Sequence, residues 1–230
     1  MLRLLAMETA TEACSVALLV GHEVQERFEI APRRHAAVLL PFANALLADA
    51  GVALGQLDAI AFGRGPGSFT GLRIAAGMAQ GMAFGASLPV VPVSTLAALA
   101  QGTVQAYGVQ QVLAALDARM QEVYWGAYRC AAGGLVEALG EDTVSTPARV
   151  ALPAGGRWSG AGSGWASYAQ LLGPRCGISA ADIHAGQHPH AGDVARLAAA
   201  EFERTGGVPA QEAIPVYLRD RVAEKPATRG

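Results

Sequence analysis

The chain has 230 residues, 52% of them hydrophobic, with 17 Lys or Arg against 19 Asp or Glu, a formal net charge of −2 and a pI near 6.2. That balance excludes the basic stripe with which a stand-alone nucleic-acid binder displaces counterions, so any RNA substrate is expected to be held mainly by another subunit. Cys14, Cys130 and Cys176 are odd in number and far apart, without the close pairing of zinc or redox sites, which fits the reducing cytoplasm. No uninterrupted apolar run reaches about 18 residues, and the opening run is too short for a signal core, so a soluble, unexported protein with no membrane partner is expected.

In chain order, residues 2–7, 13–20 and 23–30 read as strands, the last two joined by a turn at Gly21-His22. Val38, Leu39, Phe42, Leu46 and Leu47 recur at three- and four-residue steps and predict a helix over 35–50, with Gly51 as its C-cap glycine and Pro41 either in its first turn or at a kink. A buried-type strand over 57–63, a glycine-rich loop, a helix over 70–85, a strand over 90–93 and a helix after Ser94 complete the order βββαβαβα. The second half reopens the pattern with strands over 112–117 and 122–129, joined by the tight segment 118–121, and Gly133-Gly134 turning into a third. Leu5-Ala6-Met7-Glu8 and Ala114-Ala115-Leu116-Asp117 each end a hydrophobic strand on a carboxylate just before a hairpin. Two related lobes, 1–103 and 104–230, are expected. Residues 147–153, 163–172 and 193–205 read as helical, and 225–230 as a polar tail.

The most informative stretch is Gly63-Arg64-Gly65-Pro66-Gly67-Ser68-Phe69-Thr70-Gly71-Leu72-Arg73, a strand-to-helix turn that few other residues could trace. Backbone amides around Gly65, Gly67 and Ser68 could hold an anion or phosphate; equally, Ser68 or Thr70 could simply cap the helix. It is not a Walker loop, because the Gly-Lys-Ser/Thr ending is missing and the only lysine is Lys225. Glu8 and Asp117 would face each other across a cleft if the halves pack as a pseudo-symmetric pair, and could there hold a magnesium nucleotide; solvated or capping carboxylates are the plainer reading. Gly77, Gly81 and Gly85, beside Ala75, Ala79 and Ala83, make a ridge for close helix contact, either with the protein's own core or with a subunit. His184, His188 and His190 form the one histidine cluster, but with no glutamate between the first two and no helical spacing they read as a polar surface loop. No catalytic set and no metal site emerge.

Taken together, residues 5–18, the 63–73 segment, Val93-Ser94-Thr95-Leu96, residues 117–124 and Pro215-Val216-Tyr217-Leu218-Arg219 resemble the bacterial TsaB (YeaZ) family in order and spacing over nearly the whole chain. The resemblance implies an α/β actin/hexokinase-like (ASKHA) fold of two RNase H-like lobes of βββαβα type, a partner-binding N-terminal lobe and a last helix returning to it. It also implies a non-catalytic subunit without cofactor, acting in the cytoplasm on TsaD. That relative transfers the threonylcarbamoyl group from threonylcarbamoyl-AMP to N6 of the adenosine adjacent to the tRNA anticodon; TsaE joins as an ATPase, and tRNA is met only through the complex. The confusable relative, TsaD itself, carries a His-x-x-x-His metal pair where this chain has Thr95 and Leu99, neither of which replaces an imidazole. Glu8 stands where many TsaB-like sequences have aspartate. The expected partner surface comprises Leu39, Phe42, Leu46, Arg73, Gly77, Gln80, Gly81 and Phe84, and a homodimer through the same patch is expected when the chain is alone. The alternative function is a nucleotide-dependent ATPase or phosphotransferase using Glu8, Asp117 and the glycine turn. A peptidase reading lacks both a metal pair and a nucleophile set.

Overall fold

The structure, a computed structural model, describes residues 1–219; the tail expected over 225–230 lies outside the described residues. The first half contains β1 (Arg3–Glu8), β2 (Ala13–Val20), β3 (Glu23–Ile30), α1 (His35–Asp49), β4 (Ala59–Gly65), α2 (Phe69–Ala86), β5 (Val90–Ser94) and α3 (Thr95–Tyr107). The second contains β6 (Gln111–Arg119), β7 (Glu122–Cys130), β8 (Val136–Ala138), β9 (Thr143–Ser145), β10 (Ser159–Ala161), α4 (Ser163–Cys176), β11 (Ile183–His184) and α5 (Ala191–Thr205).

The first sheet has the order β3-β2-β1-β4-β5, with β1–β2–β3 antiparallel and β1–β4–β5 parallel. The second runs β11-β10-β6-β7-β8, with β9 also pairing β7. Taking β6 as the first strand of its lobe, the path is the same 3-2-1-4-5 order. The chain therefore has the two-lobed actin/hexokinase-like α/β fold, each lobe built on an RNase H-like sheet.

Strand periodicity explains the layering. Leu5 and Met7 of β1 face α1 and α2, whereas Leu4 and Ala6 face Val194, Ala195 and Ala198 of α5. Both faces of β1 are thus buried, which is why its sequence is a continuous apolar run rather than an alternation. In the same way Val112, Ala114 and Leu116 of β6 meet Leu96, Leu99 and Val104 of α3, while Leu113 and Ala115 meet Trp165 and Leu172 of α4. Helices α3 and α5 form a shared middle layer between the sheets, with α1 and α2 outside the first and α4 outside the second. The division expected at residues 103 and 104 falls inside α3, and α5 packs on the first sheet.

Two expectations are corrected. Residues 147–153 form no helix beyond the 3-10 turn Pro147–Arg149. Leu39 and Leu46 are fully buried beneath α1 in the first-lobe core and offer nothing to a partner, because the same three- and four-residue spacing that marks a helix face marks the face turned to the sheet. Pro41 lies inside α1, past its first turn. Helix α4 is broken at Tyr168, whose φ of −131° is not helical.

Candidate functional site

Glu8, the last residue of β1, is 1% exposed. Its Oε1 accepts the Ala10 N–H at 2.6 Å and its Oε2 accepts the Thr95 hydroxyl at 3.1 Å. A Cβ at position 63 would fall 1.8 Å from that Oε2, so the glycine on the neighbouring strand is what makes room for the carboxylate. Burial pushes the Glu8 carboxyl up to about 7, against the opposing effects of the Ala10 amide and the Thr95 hydroxyl. Asp117 lies on the equivalent strand of the other sheet, two residues before β6 ends at Arg119 rather than at its end. Its Oδ1 accepts the Arg119 N–H at 2.8 Å, and its Oδ2 accepts the Ser167 hydroxyl at 3.3 Å and lies 3.6 Å from the Arg119 guanidinium. Each carboxylate is thus satisfied within its own surroundings.

The glycine turn is accounted for by chain-to-chain packing. Cβ atoms at Gly67 and Gly71 would lie 2.5 Å and 1.9 Å from the carbonyl oxygens of Ala10 and Thr9. The Ser68 N–H donates to the Ala10 carbonyl at 2.7 Å, and the Thr9 hydroxyl donates to the Gly71 carbonyl at 2.8 Å. Gly65, at φ +105°, has the Val216 carbonyl where a side chain would begin, 2.9 Å away. Ser68 caps α2, its hydroxyl accepting the Gly71 N–H at 3.4 Å. The turn is therefore clasped between residues 9–10 on one side and 216 on the other.

Helix α2 displays a different character on its outer side. Cβ atoms at Gly77, Gly81 and Gly85 would meet nothing within 4 Å, so the glycine half of the expected ridge faces outward, whereas Ala75, Ala79 and Ala83 beside it are fully buried in the first-lobe core. Phe69 at one end of the helix is 53% exposed and Phe84 near the other is 81% exposed. Across α1 and α2 the only Asp, Glu, Lys or Arg residues are Asp49, paired with Arg27, and Arg73, whose guanidinium lies 3.8 Å over the Phe69 ring. Of the remaining expected surface residues, Phe42 is partly buried against the core and Gln80 donates its side-chain amide to the Ala213 carbonyl at 3.1 Å.

Sequence reading missed two arrangements. At the lobe junction Asp142 accepts the Ser94 hydroxyl at 2.6 Å and the Tyr128 hydroxyl at 2.5 Å, and burial raises both the Asp142 and Tyr128 pKa values. Of these three residues only Ser94, the cap of α3, lies in a motif singled out from the sequence, and nothing local ties it to Tyr128 or Asp142, 34 and 48 positions on. The histidine loop is not a free polar surface: His184 stacks on Tyr107 at 3.7 Å, and His190 stacks on Phe28 at 4.4 Å while its Nδ1 lies 3.0 Å from Glu26. That Glu26 bond raises the His190 pKa, whereas burial lowers that of His184. Among the described residues no group of three or more His, Cys, Asp or Glu side chains could hold a metal ion, and no helix is long and apolar enough to cross a membrane.

Comparison with known proteins converges on one group. Residues 28–226 match the family model described as TsaD, tRNA N6-adenosine threonylcarbamoyltransferase. The tRNA threonylcarbamoyladenosine biosynthesis protein TsaB of Escherichia coli is 42% identical over 97% of both chains, and that of Haemophilus influenzae is 40% identical over 97% of this chain and 96% of its own. The solved structure of YeaZ from Pseudomonas aeruginosa superposes with a TM-score of 0.89 at 48% identity, covering 95% of this chain and all of that one. A second Pseudomonas aeruginosa structure, described as an uncharacterized protein with similarity to peptidase YEAZ, gives a TM-score of 0.88 with the same identity and coverage. With a family model matched over residues 28–226 and two TsaB relatives at 40% identity or more over nearly the whole chain, the chain belongs to the TsaD-related family and, within it, to the TsaB (YeaZ) group.

Proposed function

We propose that this chain is a non-catalytic subunit that binds TsaD through the outer face of α1 and α2. There it organises TsaD to transfer the threonylcarbamoyl group from threonylcarbamoyl-AMP to N6 of the adenosine adjacent to the tRNA anticodon. The observation that carries this reading is the outward α2 ridge: a solvent-facing helix normally sets charged residues opposite its apolar face, and here glycines and two exposed phenylalanines stand in that place. The surface residues are Arg73, Gly77, Gln80, Gly81 and Phe84, with Phe42 at the margin. Two further features support a role without metal chemistry of its own. Thr95 donates to Glu8, and Leu99 is fully buried, so neither of the two positions where TsaD has its histidine pair presents a ligand. TsaE joins the assembly as the ATPase, tRNA is held through the complex, the work is cytoplasmic, and the free chain pairs with a second copy through the same face.

Gly81→Leu fills the ridge without touching the core. It should abolish co-purification with TsaD while leaving the melting temperature of the isolated chain no lower than that of the wild type, since leucine also improves helix propensity at this open position. Complex formation at wild-type strength would remove the ridge as the interface. In a reconstituted tRNA modification assay the chain should be required with TsaD and inactive without it.

A further inference from the structure

Residues 206–219 follow α5 and cross the molecule from one lobe to the other. They begin on the edge of the first sheet, where Val208 and Val90 exchange two backbone hydrogen bonds of 2.8 Å. Ala210 and Ala213 are buried in the first-lobe core, and the Ala213 carbonyl accepts the Gln80 amide. Four residues on, the Tyr217 hydroxyl accepts the Arg73 Nε–H at 3.1 Å, and its ring sits 5.4 Å from that of Phe69. Positions 73 and 80 are about 10 Å apart along a helix, and four extended residues span about 13 Å. The segment therefore lies extended and antiparallel along α2. Between these contacts the Val216 N–H donates to the Arg64 carbonyl at 2.8 Å, fastening the glycine turn as well.

The far end grips the second lobe. Arg219 pairs with Glu122, donates to the Arg119 carbonyl at 3.5 Å and reaches the Met120 sulfur at 3.5 Å. These residues belong to the turn between β6 and β7, in which Arg119, Met120 and Gln121 have φ values of 62°, 53° and 61°. Three consecutive side-chain-bearing residues in the left-handed region form a conformation that the chain avoids unless its surroundings impose it. The surroundings here are Asp117, which accepts the Arg119 N–H, and the Arg219 guanidinium.

We propose that residues 206–219 are a strap coupling the outer face of α2 to the Arg119–Gln121 turn: pinned by Tyr217 on α2, the strap holds Arg219 where it keeps the turn left-handed, and a partner seated on α2 is sensed at that turn. The coupling stands on contacts within this chain. Its use by a partner rests on the function proposed above.

Hydrogen exchange on the isolated full-length chain tests the coupling. Tyr217→Ala removes contacts with Phe69 and Arg73, both in the first lobe, and no contact with the turn. It should nevertheless accelerate exchange across residues 119–122 about tenfold. Arg219→Ala should do the same there and, by reciprocity, accelerate exchange at residues 69–73. Tyr217→Phe, which keeps the ring and drops the hydroxyl, should fall between wild type and Tyr217→Ala. Unchanged exchange at the turn in Tyr217→Ala, or an equal acceleration throughout the first lobe, overturns the coupling. With TsaD added, exchange at the turn should slow in the wild type and not in Tyr217→Ala. Slowing in both means direct contact and overturns the sensing, as does a complex that leaves the turn unchanged. Failure of the wild type to bind TsaD at all refutes the proposed function and leaves the isolated-chain result standing.

Discussion

In the first lobe the five strands run from five to eight residues and the outer face of the sheet is covered by α1 and α2, of 15 and 18 residues. In the second lobe the same strand order is built from two nine-residue strands, β6 and β7, with neighbours of only two or three residues, and its outer face has the broken helix α4 and the loop around Pro147–Arg149. Tryptophan makes up the missing layer. All three, Trp125, Trp158 and Trp165, pack in the core between β6, β7 and α4, with the Trp125 and Trp165 rings 5.9 Å apart. One topology thus supports two kinds of surface: a complete helical layer whose outer side carries exposed glycines and phenylalanines, and a reduced layer closed by large rings.

The comparison is broken most severely at Trp165. It is fully buried, its indole N–H donates to the Leu113 carbonyl at 2.8 Å, and its ring occupies the space over Gly160. Trp165→Ala should lose about 4 kcal/mol in a denaturant titration. A loss below about 1 kcal/mol would show that the rings do not replace the absent helix.

Glu8 tests the first lobe. Its folded carboxyl, at about 7, holds a proton more tightly than the unfolded chain does, so its contribution to stability is complete below the ordinary glutamate range and falls as pH rises towards 7. Glu8→Gln removes that dependence. It should match wild type near pH 4 and exceed it at pH 8 by up to about 3 kcal/mol, seen as a melting temperature that no longer falls across that range. A parallel pair of melting curves would mean that Glu8 is ionised throughout.

The smallest effect separates two glycines of one helix. Gly71→Ala drives a methyl into the Thr9 carbonyl and should cost about 2 kcal/mol. Gly81→Ala meets open space and should add up to about 1 kcal/mol through helix propensity alone. Equal signs in chemical denaturation would refute the distinction between the clasped turn and the outward ridge.

Much of this architecture was legible because it is local. The strand over 13–20 is β2 to the residue, and the glycine-rich segment does turn from strand into helix, with Ser68 as the cap. The expected strand over 57–63 lies two residues late, at Ala59–Gly65, because β4 is defined by its pairing with β1 and β5 rather than by its own apolar run. The helix expected over 147–153 is absent for a related reason: two prolines and a short apolar stretch imitate a helix start, but the segment packs Pro147 and Val150 against the second lobe and closes a 3-10 turn from the Arg149 N–H to the Thr146 carbonyl instead of a helix. Strands β9, β10 and β11 are too short to carry any periodicity. The expected interface shows the same limit. Periodicity placed Leu39 and Leu46 on one face of α1 but carried no sign of which way that face turned.

The sequence by itself determined the order of elements, the duplication, and the family to which the motifs point, since these depend on spacing and on residues whose backbone freedom or capping chemistry acts within a few positions. Only the tertiary structure decided what the glycines are for. Gly63, Gly67 and Gly71 are small because Glu8, Ala10 and Thr9 lie against them, while Gly77, Gly81 and Gly85 are small with nothing beside them. A missing side chain looks the same in sequence whether it admits the chain's own backbone or leaves a surface open. The difference lies in contacts between residues some 60 positions apart, which local propensity cannot encode.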